Sequence, residues 1–286
     1  MSYQCFLVSI EDRIAHIVLN RPEKRNSMNR AFWDELPEII EDIDNNTKAR
    51  VIVISSTGPH FSSGLDVGEF ITGGSAPQDE EAKRLARLGR GADFYNNVQL
   101  MQRTFSCLEE CRIPVIAAIQ GGCIGGGVDL VTACDLRYAS EDAFLTIYEI
   151  NIGMTADVGT FPRLVKLIPE GIVRELAYTG RRMPAQEARE VGLVNRVFSD
   201  QQTMLDEVMK IAREIAGKVP LAVYGCKRMI NYARDHSTSD GLDYISIWNA
   251  SMLQPEEMLE AITANTEKRA GNFVDLPQKR KQLRTN

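Results

Sequence analysis

The stretch that most constrains this chain is Gly121-Gly122-Cys123-Ile124-Gly125-Gly126-Gly127-Val128-Asp129-Leu130, with five glycines in seven residues between two apolar runs. The run before it, Pro114 to Ile119, is short, rich in β-branched residues and free of charge, which reads as a buried strand. The run after it, Val128 to Cys134, carries apolar residues on more than one face and reads as the start of a buried helix. A turn of this kind has no Cβ atoms to hold a ligand away from its backbone N–H groups. Those groups lie at a helix N-terminus, where unpaired donors and the helix dipole favour negative charge. The turn therefore suits an anion or a developing oxyanion. Asp129 stands one turn into the same helix, a carboxylate close to the donors. Close helix–strand packing alone is the other reading of such glycines. The dinucleotide pattern G-x-G-x-x-G and the phosphate-loop pattern are both missing, so neither a nicotinamide cofactor nor ATP is indicated.

Composition narrows the partners. The 286 residues are 44% hydrophobic and 25% charged, enough for one large core or two unequal ones. A formal charge of −6 and a pI near 5.3 favour neither nucleic acid nor an anionic membrane. No apolar run approaches the roughly 20 residues of a membrane span. Met1-Ser2-Tyr3-Gln4-Cys5 resembles no secretory or mitochondrial leader, and Leu283-Arg284-Thr285-Asn286 is no peroxisomal address. The expectation is a cytoplasmic protein. Six scattered cysteines without C-x-x-C fit a reducing compartment. Three histidines far apart, with no G-x-S-x-G, argue against a zinc site or a Ser–His–Asp triad. Chemistry is left to carboxylates and backbone amides, with no metal.

Alternation predicts a hairpin from Phe6–Ile10 and Ile14–Leu19 around Glu11-Asp12-Arg13. A helix is expected from Arg30 to Ile43, a buried strand from Arg50 to Ser55, and a tight loop at Phe61-Ser62-Ser63-Gly64-Leu65-Asp66. Gly68 to Gln78 reads as mobile. Apolar residues at 85, 88, 95, 98, 101, 105 and 108 predict one long helix ending before Pro114. Strands follow at Leu136–Ala139 and Ala143–Ile147, a loop at Tyr148–Gly153, and a helix over Gly159–Ile168. Arg182 to Phe198 supplies a helix and a last strand. Beyond Gln201 only helical patterns remain, at Met204–Val219, Ala222–Arg234, Leu242–Leu253 and Glu256–Arg269. These elements predict an α/β core over 1–200 and a helical C-terminal region over 201–286, ending in a solvated Gln278-Lys279-Arg280-Lys281 tail.

Three acids stand out: Asp129, Glu149 and Asp157. Each has an ordinary structural reading, as a dipole partner, an exposed loop carboxylate and a helix cap respectively. Their shared setting is more suggestive. Each has small or apolar neighbours (Val128 and Leu130, Ile150, Ala156 and Val158), which would raise a carboxyl pKa toward the range of proton transfer.

The run from Ile113 to Asp135, with Phe61-Ser62-Ser63-Gly64-Leu65-Asp66 and Asn20-Arg21-Pro22, resembles the crotonase (enoyl-CoA hydratase/isomerase) superfamily over about residues 5 to 270. The resemblance implies a crotonase-like ββα superhelix whose helical C-terminal region forms trimers or hexamers. It implies an acyl-CoA substrate whose thioester oxygen is held by the N–H groups of Leu65 and Gly126, with no cofactor besides the CoA of the substrate. Ser63, Gly64 and Asp66 would line the CoA, with Lys268 as a basic contact.

Hydratases of this family carry Glu at the positions of both Asp129 and Glu149. Aspartate at the first and a third acid at Asp157 instead resemble the branch that moves 3,5-dienoyl-CoA to the 2,4-isomer. The segments Arg21-Pro22-Glu23-Lys24-Arg25-Asn26, Asn29-Arg30-Ala31-Phe32-Trp33, Leu242-Asp243-Tyr244 and Trp248-Asn249 also look like that branch. The resemblance implies that Glu149 takes a proton from C2, that Asp157 supplies one to C6, and that Asp129 tunes the pair or positions water. The alternatives are a 2-enoyl-CoA hydratase, a Δ3-Δ2 isomerase, or a non-catalytic binding protein of the same fold.

Overall fold

A computed structural model describes residues 3–68 and 79–279. Phe6–Glu11 (β1) and Ile14–Leu19 (β2) form the antiparallel hairpin, with Phe6 opposite Leu19 and Glu11 opposite Ile14. Asp12 and Arg13 between them have φ of 50° and 65°, the positive pair that a two-residue hairpin loop demands. Arg30–Asn45 (α1) starts where the Asn29 side chain accepts from the Phe32 N–H, and Val51–Ser56 (β3) follows. The 31-residue Glu80–Glu110 (α2) leads into Val115–Ile119 (β4). Gly122–Ile124 (β5), Gly126–Ala133 (α3), Leu136–Ser140 (β6) and Phe144–Thr146 (β7) come next. Thr160–Leu164 (α4), Glu170–Thr179 (α5), Met183–Pro184 (β8), Ala185–Glu190 (α6) and Arg196–Phe198 (β9) complete the part before residue 200. The remaining helices are Gln201–Ala216 (α7), Pro220–Ala233 (α8), Thr238–Met252 (α9) and Pro255–Glu267 (α10).

The main sheet has the order β1-β2-β3-β4-β6-β9, parallel except for the hairpin. Strand alternation divides its side chains between two cores. Ile52 and Ile54 join Val115, Ala117 and Ile119 in the core that α1 and α3 also fill. Val51 and Val53 join Ile116, Ala118 and Tyr138 against Met204, Val208 and Ala212 of α7. Residues on both sides of position 200 therefore share that second core. The α/β fold with a helical C-terminal region agrees with the sequence reading.

Three local expectations change. Gly122–Ile124 is a strand, because β7 pairs with it and Ser62 bridges Cys123, two partners distant in sequence. Glu170–Thr179, to which the sequence reading assigns no element, is a helix that buries Val173 and Leu176. In the expected solvated tail Gln278 and Lys279 are exposed, yet Lys279 is tethered to Asp44 at 2.6 Å, and Phe273 and Leu276 just before the tail are buried. Of the segment expected to be mobile, residues 69–78 lie outside the described residues, as do Arg280 and Lys281.

Candidate active site

Two loops meet at the end of the sheet, and the chain before them explains their shape. Asn26, 2% exposed, donates its amide to the carbonyls of Thr57 and His60 at 2.8 and 3.0 Å and accepts from the Arg21 N–H. The Ser62 hydroxyl donates to the Asn26 carbonyl and accepts from the Gly64 N–H. Met28 then clamps the tip. Its N–H donates to Gly64 and its carbonyl accepts from Asp66, so the intervening Leu65 is held extended. Arg21 and the Ser27 hydroxyl both bond Asp66, at 3.3 and 3.0 Å. Asp66 thus braces the loop from behind, with its carboxylate already engaged.

The glycine turn is stitched to this loop. Ser62 donates its N–H to Gly122, Ile124 donates to Ser62, and the Gly122 N–H donates to His60 Nδ1 at 3.0 Å. The approach leaves no room for a side chain at Gly64, whose φ is +79°. A Cβ there would lie 2.7 Å from the Ile124 carbonyl oxygen and 3.1 Å from the Gly126 nitrogen. Helix α3 begins at Gly126, so that N–H has no intrahelical acceptor. Among the described residues neither the Leu65 nor the Gly126 N–H has a hydrogen-bond partner. Two free donors on touching loops, one at a helix N-terminus, are a setting that favours negative charge.

Glu149 opens a short 3₁₀ turn, Glu149–Ile152, and its carboxylate comes to the same place. A Cβ on Gly125 would lie 2.9 Å from Glu149 Oε1. Glu149 Oε2 is buried and has no hydrogen-bond partner among the described residues. Burial, reinforced by the charges of Asp129 and Asp157, pushes the Glu149 carboxyl up to about 7. Asp129, 1% exposed, accepts from the Thr160 N–H at 2.6 Å and the Thr160 hydroxyl at 2.8 Å. Burial outweighs those bonds and raises its carboxyl to about 6. Asp157 is half-buried between buried Ala156 and Val158, and burial raises its carboxyl as well. The three acids thus sense one another's charge. Asp157 also lines a cavity of about 410 Å³ with Gln102, Ser106, Glu109 and Arg163, a cavity whose walls include neither Glu149 nor the two donor residues.

Other expected residues lie differently. Ser63 sits in the first loop and donates its N–H to Arg25. Lys268 is exposed, with φ of 54°, and closes the C-terminus of α10; none of its contacts among the described residues brings it to Leu65 or Gly126. Met28, Asn26, His60 and Thr160 shape the site without having been singled out from sequence. Asn26 lay inside a segment marked by resemblance, while the other three reveal themselves only through folding. Among the described residues no group of three or more His, Cys, Asp or Glu side chains could hold a metal ion.

The enoyl-CoA hydratase/isomerase family model matches residues 9–277, and the chain belongs to that family. It is 45% identical over 264 residues to the mitochondrial Δ(3,5)-Δ(2,4)-dienoyl-CoA isomerase of Mus musculus, covering 92% of this chain and 79% of that one. It is 39% identical over 268 residues to the peroxisomal Δ(3,5)-Δ(2,4)-dienoyl-CoA isomerase of Arabidopsis thaliana, covering 93% and 94%. The crystal structure of enoyl-CoA hydratase from Bacillus anthracis superposes with a TM-score of 0.81 at 31% identity, covering 97% of this chain and 100% of that one.

These relatives overturn the expected cytoplasmic location, since their names place them in mitochondria and peroxisomes. That expectation rests only on missing address signals at the chain's ends, and such an absence decides nothing. No described helix is long and apolar enough to cross a membrane.

Proposed function

We infer that the protein is an isomerase that converts 3,5-dienoyl-CoA into 2,4-dienoyl-CoA. The observation that carries this reading is the company of two free N–H donors with three acids of raised pKa, one of them the additional acid Asp157. In the proposed mechanism the thioester oxygen sits between the Leu65 and Gly126 N–H groups. Glu149, ionised in part at neutral pH, takes a proton from C2, and the C–H electron pair passes into a trienolate whose oxygen is held by the two donors. Such donors, fixed where charge develops, supply about 3–4 kcal/mol of barrier lowering each. Asp157, whose carboxyl is raised by burial, delivers a proton to C6 from its protonated form, and the double bonds move to C2 and C4. Water then returns both acids to their starting states.

Asp129 stands behind this pair. Its carboxylate is occupied by Thr160, and its charge helps to raise Glu149. The Ser63–Asp66 loop is proposed to line the CoA. No metal or nicotinamide takes part in this scheme. Exposed Leu242 and Ile247 on α9 and Leu259 and Ile262 on α10 support assembly into trimers or pairs of trimers through those helices.

Asp157 separates this reading from hydration or a Δ3-Δ2 shift, neither of which needs an acid far down the acyl chain. Asp157→Asn should lower isomerisation about a hundredfold or more while acyl-CoA binding persists. Unchanged turnover in that variant would remove Asp157 from the mechanism.

A further inference from the structure

Asp157 has to meet a carbon several bonds from the thioester, yet among the described residues no other side chain bonds its carboxylate, which accepts only its own N–H. Its place is therefore set by the backbone of residues 156–160. That backbone is held from two elements. Gln102 of α2 donates its amide to the Asp157 carbonyl at 2.7 Å. Asp129 of α3 accepts both the N–H and the hydroxyl of Thr160, three residues further on. Between these points Gly159 has φ of +137°, a conformation that L side chains rarely adopt. Arg163 lies against Gly159 where a Cβ would be, and is itself fixed to α2 by Glu109 at 2.6 Å and Ser106 at 3.1 Å. Glycine adopts this conformation at little cost, and its missing side chain leaves room for Arg163 to pack against the segment.

We propose that Gln102 and Thr160 are positioning residues for the distal proton transfer, clamping the 156–160 segment so that Asp157 meets C6. Asp129 serves in this clamp as the acceptor for Thr160. The proposal rests on Asp157 being the distal acid. It makes a separable claim, because among the described residues no hydrogen bond joins Gln102 or Thr160 to Glu149, Leu65 or Gly126. Loosening the clamp should hurt protonation at C6 and spare proton removal at C2.

The experiment incubates 3,5-octadienoyl-CoA with the full-length protein in deuterated buffer. It measures deuterium at C2 of recovered substrate against formation of the 2,4-isomer. In Gln102→Leu and in Thr160→Val the ratio of C2 exchange to isomerisation should rise about tenfold, the worth of one hydrogen bond of this kind. Thr160→Ser, which restores the hydroxyl, should return the ratio to the wild-type value. A merely structural role would slow both reactions together and leave the ratio where it was, and that result overturns the clamp. Asp157→Asn is the reference. If it raises the ratio and the clamp variants do not, the clamp alone is wrong. If Asp157→Asn itself leaves the ratio unchanged, the distal-acid reading fails and the clamp falls with it.

Discussion

Glu149 Oε2 is a buried carboxylate oxygen with no hydrogen-bond partner among the described residues, and in the proposed mechanism that desolvated atom sets the working pH range. Burial disfavours the charged form, so the carboxyl titrates near 7 rather than in the ordinary carboxylate range. In the proposed mechanism only the ionised form takes the C2 proton. kcat/KM should therefore rise as pH increases through about 7, whereas an ordinary carboxylate would have finished titrating well below. A pH–rate profile checks this, and one that is flat through neutrality would remove Glu149 as the base. At this scale the raised carboxyls were legible in the sequence, because small and apolar neighbours around Asp129, Glu149 and Asp157 imply desolvation. It was silent on Thr160, whose two bonds to Asp129 span 31 residues and exist only once α3 and α4 have packed.

At the scale of elements, the strand–turn–helix unit was legible because glycine spacing and apolar runs are local signals. Its internal strand, Gly122–Ile124, was not, since the partners of that strand are Phe144–Thr146 and Ser62. The joint between the two loops yields a sharp expectation. Gly64→Ala places a Cβ 2.7 Å from the Ile124 carbonyl oxygen in a left-handed conformation, next to the Gly126 donor. Displacing one oxyanion donor costs about a hundredfold or more in kcat. Steady-state kinetics of this variant should show that loss with the fold retained by circular dichroism. Wild-type kcat would mean that the loop contact does not shape the donor pair.

For the whole molecule, buried arginines join the C-terminal tail to the core. Arg50, at the start of the β3 strand, bonds Asp275, the Phe273 carbonyl and the Ala216 carbonyl at the end of α7. Arg112 bonds Asp44 and the Pro277 carbonyl. The docking of residues 273–277 was not legible in sequence, because their partners Arg50 and Arg112 lie more than 160 residues away. Asp275→Asn should lower stability by about 1–3 kcal/mol, measured by denaturant unfolding, since Arg50 stays buried with its charge less well matched. An unchanged midpoint would mean that the backbone carbonyls alone suffice for Arg50.

The central claim is that a free donor pair and three carboxylates move a diene along an acyl-CoA. The most direct test follows the ultraviolet absorbance of 3,5-octadienoyl-CoA after the purified protein is added. The account predicts rapid growth of the band of a diene conjugated with the thioester, as the 2,4-isomer forms. A spectrum that stays unchanged, while 2-enoyl-CoA is hydrated by the same preparation, would contradict it and leave Asp157 with a structural role only.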